Sequence, residues 1–302
     1  MESNDKTVKY KVKCLALNGK RKRIFRSGES VTHRDFYSGH FEKLLANGSI
    51  VEDVVTNVTV GKKSAFGNGK LKVAIVSACW KRPAIFELFA RSVKTFEAID
   101  NVEFVTIIAG SEGSQSRKMV EGHGFKYIEI ANEPLAEKVN APVLMAKSLS
   151  VDYCFCLGSD DLFTVETMEM YIKQMRLGYD FIGVSDFYFY DTVTRKALYW
   201  GGYRESYRQG ATCGAGRALS KRLLNKWGWK PWDVRHSLIL DNSIDQKLKA
   251  TKHSKCVFSL KAHGLVATDV KSSTNMTPFE KWDNAEYIEP TLLTQQFPYI
   301  NG

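Results

Sequence analysis

The chain has 302 residues, 44% of them hydrophobic, and a formal net charge of +10. That length can bury a substantial core, with one large domain and one small domain as the natural division. No run of about 18 apolar residues occurs, which excludes a membrane-spanning helix. The opening residues Met1-Glu2-Ser3-Asn4-Asp5-Lys6 lack the apolar centre of a secretory signal. The six cysteines form no C-x-x-C pair and fit no zinc spacing, so a reducing, cytoplasmic location is expected.

The charge is unevenly placed. Residues 1–70 carry 14 Lys and Arg against 7 Asp and Glu, a net of +7, which leaves +3 for the rest. Lys20, Arg21, Lys22, Arg23 and Arg26 form the centre of this excess. Such a patch attracts nucleic acid or an anionic membrane surface. It is equally the composition of a solvated, solubilising face.

Residues 1–55 read as a small, basic, β-rich module. Val8 to Leu17 alternates as a strand, Asn18-Gly19 signals a hairpin turn, and Ile24-Phe25 begins the return. His40 to Asn47 reads as a short helix stopped by Gly48. Residues 56–70, rich in Gly, Lys, Asn and Thr, read as a linker. Residues 71–302 then read as the large domain, in two halves, 71–161 and 162–302.

Leu71 to Ser77 is an apolar strand, and Pro83 opens a helix with Ile85, Phe86, Phe89, Val93 and Phe96 at helical spacing. Strands at 102–109, 125–130 and 153–157 alternate with helices at 114–122 and 134–149. This β-α-β order predicts an α/β fold with a mostly parallel sheet flanked by helices. Cys154 and Cys156, two apart on their strand, share a face as small packed hydrophobes. Ligands of such sheets bind beyond the carboxyl ends of the strands. Ser77-Ala78-Cys79, Ala109-Gly110 and Gly158-Ser159-Asp160-Asp161 all fall there.

Two adjacent carboxylates after a buried strand repel one another unless a cation compensates. Hard oxygen ligands of this kind suit magnesium or manganese bridging a diphosphate. The other reading has one aspartate capping the helix that begins near Thr164 while its neighbour faces solvent.

Residues 71–270 resemble the family 2-like glycosyltransferases of the GT-A, Rossmann-like fold. The resemblance rests on Val73 to Ser77, on Pro134-Leu135-x-x-Lys138-x-Asn140, and on Ser159-Asp160-Asp161, which stands where that family has D-x-D. It implies a UDP-sugar donor, Asp161 as a metal ligand and Asp160 toward the ribose. It further implies Ser77, Ala78 and Cys79 around the base, with Lys138 and Asn140 near the donor. Serine replaces the family's first aspartate, which leaves the division of labour between Asp160 and Asp161 open.

Later segments add candidates. Trp200-Gly201-Gly202-Tyr203 and the run Gly210 to Arg217 bracket a glycine-rich stretch before a helix expected at 218–227. Small residues admit close backbone approach to a ligand; the resemblance implies donor and acceptor contacts in this region, with Gly214 toward the donor and Trp200, Tyr203 and Arg217 toward the acceptor. A plain tight turn explains the same glycines. Inverting transfer, which the resemblance implies, needs a carboxylate to take the acceptor proton. Asp241 fits that role best, Asp245 one turn on is the second candidate, and a helix N-cap is the other reading of Asp241. His263, after a strand at 256–260, is a candidate metal ligand, as in several GT-A enzymes. The polar stretch 269–275 reads as a closing loop, with Lys271 facing the diphosphate.

For the acceptor, the basic first module points to DNA carrying 5-hydroxymethylcytosine, as in bacteriophage genome modification. Assembly of a cell-surface polysaccharide is the alternative within the same enzyme class. A non-catalytic nucleic-acid-binding protein on a GT-A-like scaffold is the alternative outside it.

Overall fold

A computed structural model describes residues 69–204, 208, 211–233, 240–272, 279 and 285–301 in full, and of residues 1–68 only the backbone of five short strands. Two compact units divide at 59/60, Met1–Thr59 and Val60–Gly302.

In the first unit, β1 (Tyr10–Val12) pairs antiparallel with β4 (Ser30–Val31) and β5 (Ile50–Glu52), and β2 (Ala16–Asn18) pairs with β3 (Ile24–Arg26). The expected single strand from Val8 to Leu17 is therefore two strands in two different sheets. The hairpin return at Ile24-Phe25 is present. The expected helix at 40–47, the linker up to residue 68, and Lys20, Arg21, Lys22 and Arg23 lie outside the described residues. Arg26 sits on β3, described there as backbone alone.

The second unit is built on a seven-stranded sheet of order β15-β11-β14-β9-β6-β7-β8. Its strands are β6 (Leu71–Ala78), β7 (Val102–Gly110), β8 (Lys126–Glu129), β9 (Tyr153–Cys156), β11 (Phe181–Val184), β14 (Arg217–Ser220) and β15 (Lys255–Phe258). All neighbours run parallel except β14, which is antiparallel to β9 and to β11. The mostly parallel sheet flanked by helices is thus as expected.

Strand alternation explains how both faces are covered. Val73, Ile75, Tyr153 and Phe155 join one core with helices Pro83–Thr95 and Val165–Arg176. Ala74, Val76, Cys154 and Cys156 point the other way, against helices Leu135–Ser148, Lys221–Lys226 and Leu240–Ala250. A sheet buried on both faces needs the near-continuous apolar runs seen at 71–78 and 153–156. The two cysteines pack together on one face as their spacing predicts.

A second sheet, not foreseen from the sequence, has the order β10-β16-β12-β13-β17. It comprises β10 (Asp161–Phe163), β12 (Phe187–Asp191), β13 (Ala197–Trp200), β16 (Ala267–Lys271) and β17 (Glu286–Ile288). Two sequence expectations change here. Residues 217–220 are strand β14, so the helix expected from 218 begins only at Lys221, with the Ser220 hydroxyl accepting from the Leu223 amide. Residues 267–271, read in part as a closing loop, are a buried strand.

β14 enters from a turn at Gly216, whose φ is +69°. A Cβ there would stand 2.5 Å from the Phe163 ring and 2.9 Å from the Tyr171 hydroxyl. Left-handed backbone and an overfilled core each cost about 1–3 kcal/mol. Gly216→Ala is therefore expected to lower stability by about 2–4 kcal/mol, read as a lower denaturant midpoint at unchanged slope.

Candidate active site

β9 leaves the large sheet at Cys156, turns through Leu157 to Asp160, and enters the smaller sheet as β10 at Asp161. In that sheet Asp161 pairs in register with Asp269 of β16. The Val270 amide donates to the Asp160 carbonyl. Crossing between sheets thus brings Asp160, Asp161 and Asp269 together, with one carboxylate oxygen of each within 4.8 Å of the others.

Asp161 is buried and its carboxylate accepts the Gly158 amide. Burial, followed by the charges of Asp160 and Asp269, pushes its carboxyl well above the usual range. Asp269 is raised to about 7, by burial and then by Asp160. Two cations face the cluster. Arg82 donates to Asp160 Oδ2 at 2.6 Å and to Ser159 Oγ at 3.0 Å, and Lys271 Nζ lies 2.6 Å from Asp269 Oδ2. Asp269 Oδ1 is buried and has no hydrogen-bond partner. Three hard carboxylates, one with an orphaned buried oxygen, fit a small divalent ion.

The cluster opens on a cleft of about 530 Å³. Ser77, Ala78, Cys79, Lys138, Asp160, Asp161, Trp200, Tyr203, Gly214, Asp241 and Lys271 all line it. The Ser77 hydroxyl is buried without a protein partner. Burial pushes the Cys79 thiol up to about 11. Lys138 is buried, its ammonium donating to the Cys79 carbonyl (2.8 Å), Ser111 Oγ (2.9 Å) and Asn132 Oδ1 (2.8 Å). Desolvation lowers its pKa. All three of its protons serve to tie the ends of β6 and β7 to the loop before helix Leu135–Ser148, so its role is to shape the cleft floor.

Four predicted residues lie elsewhere, the first being Asp245, one turn beyond Asp241 on its helix and outside the cleft lining. Asn140 is buried off the cleft, giving its amide to the Trp232 carbonyl (2.8 Å) and accepting the Trp232 amide (3.1 Å). It holds Trp232, which does line the cleft. Arg217 is buried behind the wall and holds Asp241, so it does not face an acceptor. His263 is exposed, with Nδ1 against the Ser259 carbonyl, in the last turn of the short helix Leu260–His263. It belongs neither to the acidic cluster nor to the cleft lining. The third carboxylate at that cluster is Asp269, which sequence reasoning missed. Nor does an aspartate cap the helix after β10: Thr164 does, accepting from the Thr167 amide.

Arg82 and Trp80 were also missed. Both line the cleft, directly after the strand whose carboxyl end was expected to meet ligand, and Trp80 is nearly half exposed.

Asp241, in the first turn of helix Leu240–Ala250, lines the cleft, its side chain 43% exposed. Arg217 Nη1 donates to its Oδ1 at 3.0 Å. A Cβ on Gly214 would fall 2.7 and 2.8 Å from its two oxygens. Gly214→Ala is therefore expected to push this carboxylate aside, a cheap movement for the fold because only a side-chain end shifts. Turnover should fall about tenfold or more, since small misplacements cost up to about 100-fold. Melting temperature and nucleotide affinity, measured alongside, should barely change.

No known protein-family model matches the chain, and no curated protein matches it in sequence. Solved structures similar to it include the mannosyltransferase PcManGT from Pyrobaculum calidifontis in complex with GDP-Man and Mn2+. That pair is 12% identical over 76% of this chain and 62% of the other, with a TM-score of 0.49. S. aureus TarS 1-349 in complex with UDP is 12% identical over 64% and 62%, with a TM-score of 0.46. A CMP:2-keto-3-deoxy-manno-octonic acid synthetase complexed with CTP is 11% identical over 70% and 93%, with a TM-score of 0.41. The chain spans somewhat under two thirds of the first two. At these scores function has to be read from the residues of the cleft itself.

Proposed function

We propose that this chain is a metal-dependent glycosyltransferase of the GT-A type, moving a sugar from a UDP-sugar to an acceptor hydroxyl with inversion. The observation that carries the reading is the meeting of Asp160, Asp161 and Asp269 in a cleft that Asp241 also lines. A divalent ion, manganese or magnesium, held by Asp161 and Asp269 with Asp160 beside them, would neutralise a diphosphate leaving group.

The chain's own residues supply the rest. Arg82 and Lys271 offer positive charge beside the cluster, where a diphosphate needs it. Ser77, Ala78 and Cys79 border the space for the base, with Trp80 as an exposed stacking surface. Asp241 takes the proton of the acceptor hydroxyl as that oxygen bonds to the anomeric carbon. The bond from that carbon to phosphate breaks in the same displacement, and its electron pair leaves with the nucleoside diphosphate. Trp200 and Tyr203, packed edge to face at 4.7 Å, form the wall on the acceptor side.

For the acceptor we propose DNA bearing 5-hydroxymethylcytosine, in the cytoplasm of a host cell. The support is the net +7 on residues 1–70, with no helix among the described residues long and apolar enough to cross a membrane. The target base has to leave the duplex to reach a cleft of this size.

The test is a transfer assay on the full chain with Mn2+, radiolabelled UDP- and GDP-sugars, and hydroxymethylcytosine DNA beside unmodified DNA. Label on the modified DNA alone establishes donor and acceptor together. Nucleotide release without DNA label keeps the enzyme class and transfers the acceptor to saccharides or lipid-linked sugars. Failure of UDP and GDP to bind with Mn2+ overturns the enzyme reading and favours the non-catalytic scaffold.

A further inference from the structure

The proposed base does not stand alone. Arg217, on β14, is 1% exposed and reaches two carboxylates of one helix. Its Nη1 lies 3.0 Å from Asp241 Oδ1, and its Nη2 lies 3.6 Å from Asp245 Oδ1. Thr212 fixes the guanidinium from behind, accepting at Oγ1 and at its carbonyl, each at 3.3 Å.

The two aspartates differ in what they can touch. Asp241 lines the cleft. Asp245, one turn on, does not, and its side chain is only 15% exposed. Its second cation is Arg208, 3.8 Å away, whose guanidinium lies 3.3 Å from the centroid of the Tyr203 ring. Asp245 is thus connected on one side to the proposed base and on the other to the aromatic wall, while not itself lining the cleft.

Like charges at this helical spacing repel. A buried guanidinium between them offsets that repulsion, and with Arg208 on the far side of Asp245 two positive charges balance the two carboxylates. With Asp245 gone, Arg217 has Asp241 as its remaining acidic partner, and the fork of the guanidinium favours drawing that carboxylate into a bidentate pair. That movement is inward, off the cleft wall.

We infer that Asp245 is a positioning residue, acting through Arg217 to hold the Asp241 carboxylate at the cleft wall. The inference rests on the reading of Asp241 as the base, and it removes Asp245 as an alternative base.

The test compares Asp245→Asn with wild type in the full chain, using Mn2+ and whichever of UDP-glucose, UDP-N-acetylglucosamine or GDP-mannose wild type consumes fastest. Nucleotide release is read with water or a hydroxyl acceptor, and again with azide. Azide attacks the anomeric carbon with its own lone pair, giving a glycosyl azide and the nucleoside diphosphate, with no proton to remove. In Asp245→Asn, kcat with the hydroxyl acceptor should fall about 10- to 100-fold. The Kd for UDP should stay within about twofold, well under the tenfold that 1.4 kcal/mol represents, and azide should restore release.

Hydroxyl turnover near wild type, failure of azide to restore it, or a large rise in the UDP Kd each overturns the assignment. Arg217→Lys, which keeps the charge and loses the fork, should show the same loss and the same azide response, and it carries the test if Asp245→Asn does not fold. If wild type consumes no donor at all, the glycosyltransferase reading falls separately. Crystals of Asp245→Asn then decide: an Asp241 drawn away from Gly214 upholds the positioning role, and an unmoved one overturns it.

Discussion

Asp161→Asn is expected to abolish manganese-dependent binding of UDP, and with it turnover, while leaving the metal-free protein at least as stable as before. Asp161 is the most buried of the three clustered carboxylates and sits where the chain passes from one sheet to the other. Losing a central ligand removes several kcal/mol of charge stabilisation, about a thousandfold in rate for each 4 kcal/mol. Stability moves the other way because the carboxyl is held above its ordinary range by burial and by two neighbouring acids.

The pH dependence carries the same sign. A carboxyl whose folded pKa is raised binds its proton more tightly folded than unfolded. The stability it contributes is present below the ordinary carboxylate range. That stability is lost as pH rises toward the folded value, about 7 for Asp269. Metal-free wild type should therefore lose stability between about pH 4 and pH 7, and Asp161→Asn should flatten the decline. Added Mn2+ should stabilise wild type increasingly over that range, because bound metal requires the deprotonated ligands. Melting curves from pH 5 to 8, with and without Mn2+, read all of this. An Asp161→Asn protein that still gains stability from Mn2+ would place the ion elsewhere.

Asp241→Asn should lower kcat by about 10²- to 10⁴-fold, the usual worth of a general base, with UDP affinity in Mn2+ unchanged. Asparagine keeps the shape and can still accept from Arg217 through its amide oxygen, so the wall geometry survives while the basic site does not. Single-turnover kinetics beside equilibrium binding separate the two effects. Near-normal turnover would remove Asp241 from the chemistry.

Residues 71–161 were legible because their signals are local. Pro83 and the apolar spacing behind it, the uninterrupted strand at 71–78, and the paired aspartates after β9 each depend on a few neighbours in sequence. What escaped depends on pairing at a distance. Residues 269–271 are polar enough to read as loop, yet Val270 and Thr268 are fully buried once β16 is inserted between β10 and β12. Only that pairing sets Asp269 beside Asp161. Residues 217–220 precede a helix with no breaker, so the helical reading ran too far back; β9 and β11 draw them into the sheet.

Chain order misled over His263, whose place after β15 matched a ligand position while its helix carries it away from the cluster. Of the polar residues singled out near the donor and acceptor, Lys138 lines the cleft with its ammonium tied to protein acceptors, while Asn140 and Arg217 lie behind the cleft surface. Sequence pattern reports that a polar residue matters more readily than it reports which way the residue faces.

The carboxylates of the cluster come from either side of more than a hundred residues of intervening chain, the last of them on β16. During synthesis, Asp160 and Asp161 leave the ribosome long before Asp269 and Lys271 exist. Until then the half-made protein has two repelling acids and no complete cradle for an ion. A nascent chain, or one cut short before β16, therefore lacks the third carboxylate and the lysine beside it. Assembly of the acidic cluster is deferred until the fold that frames it is nearly finished.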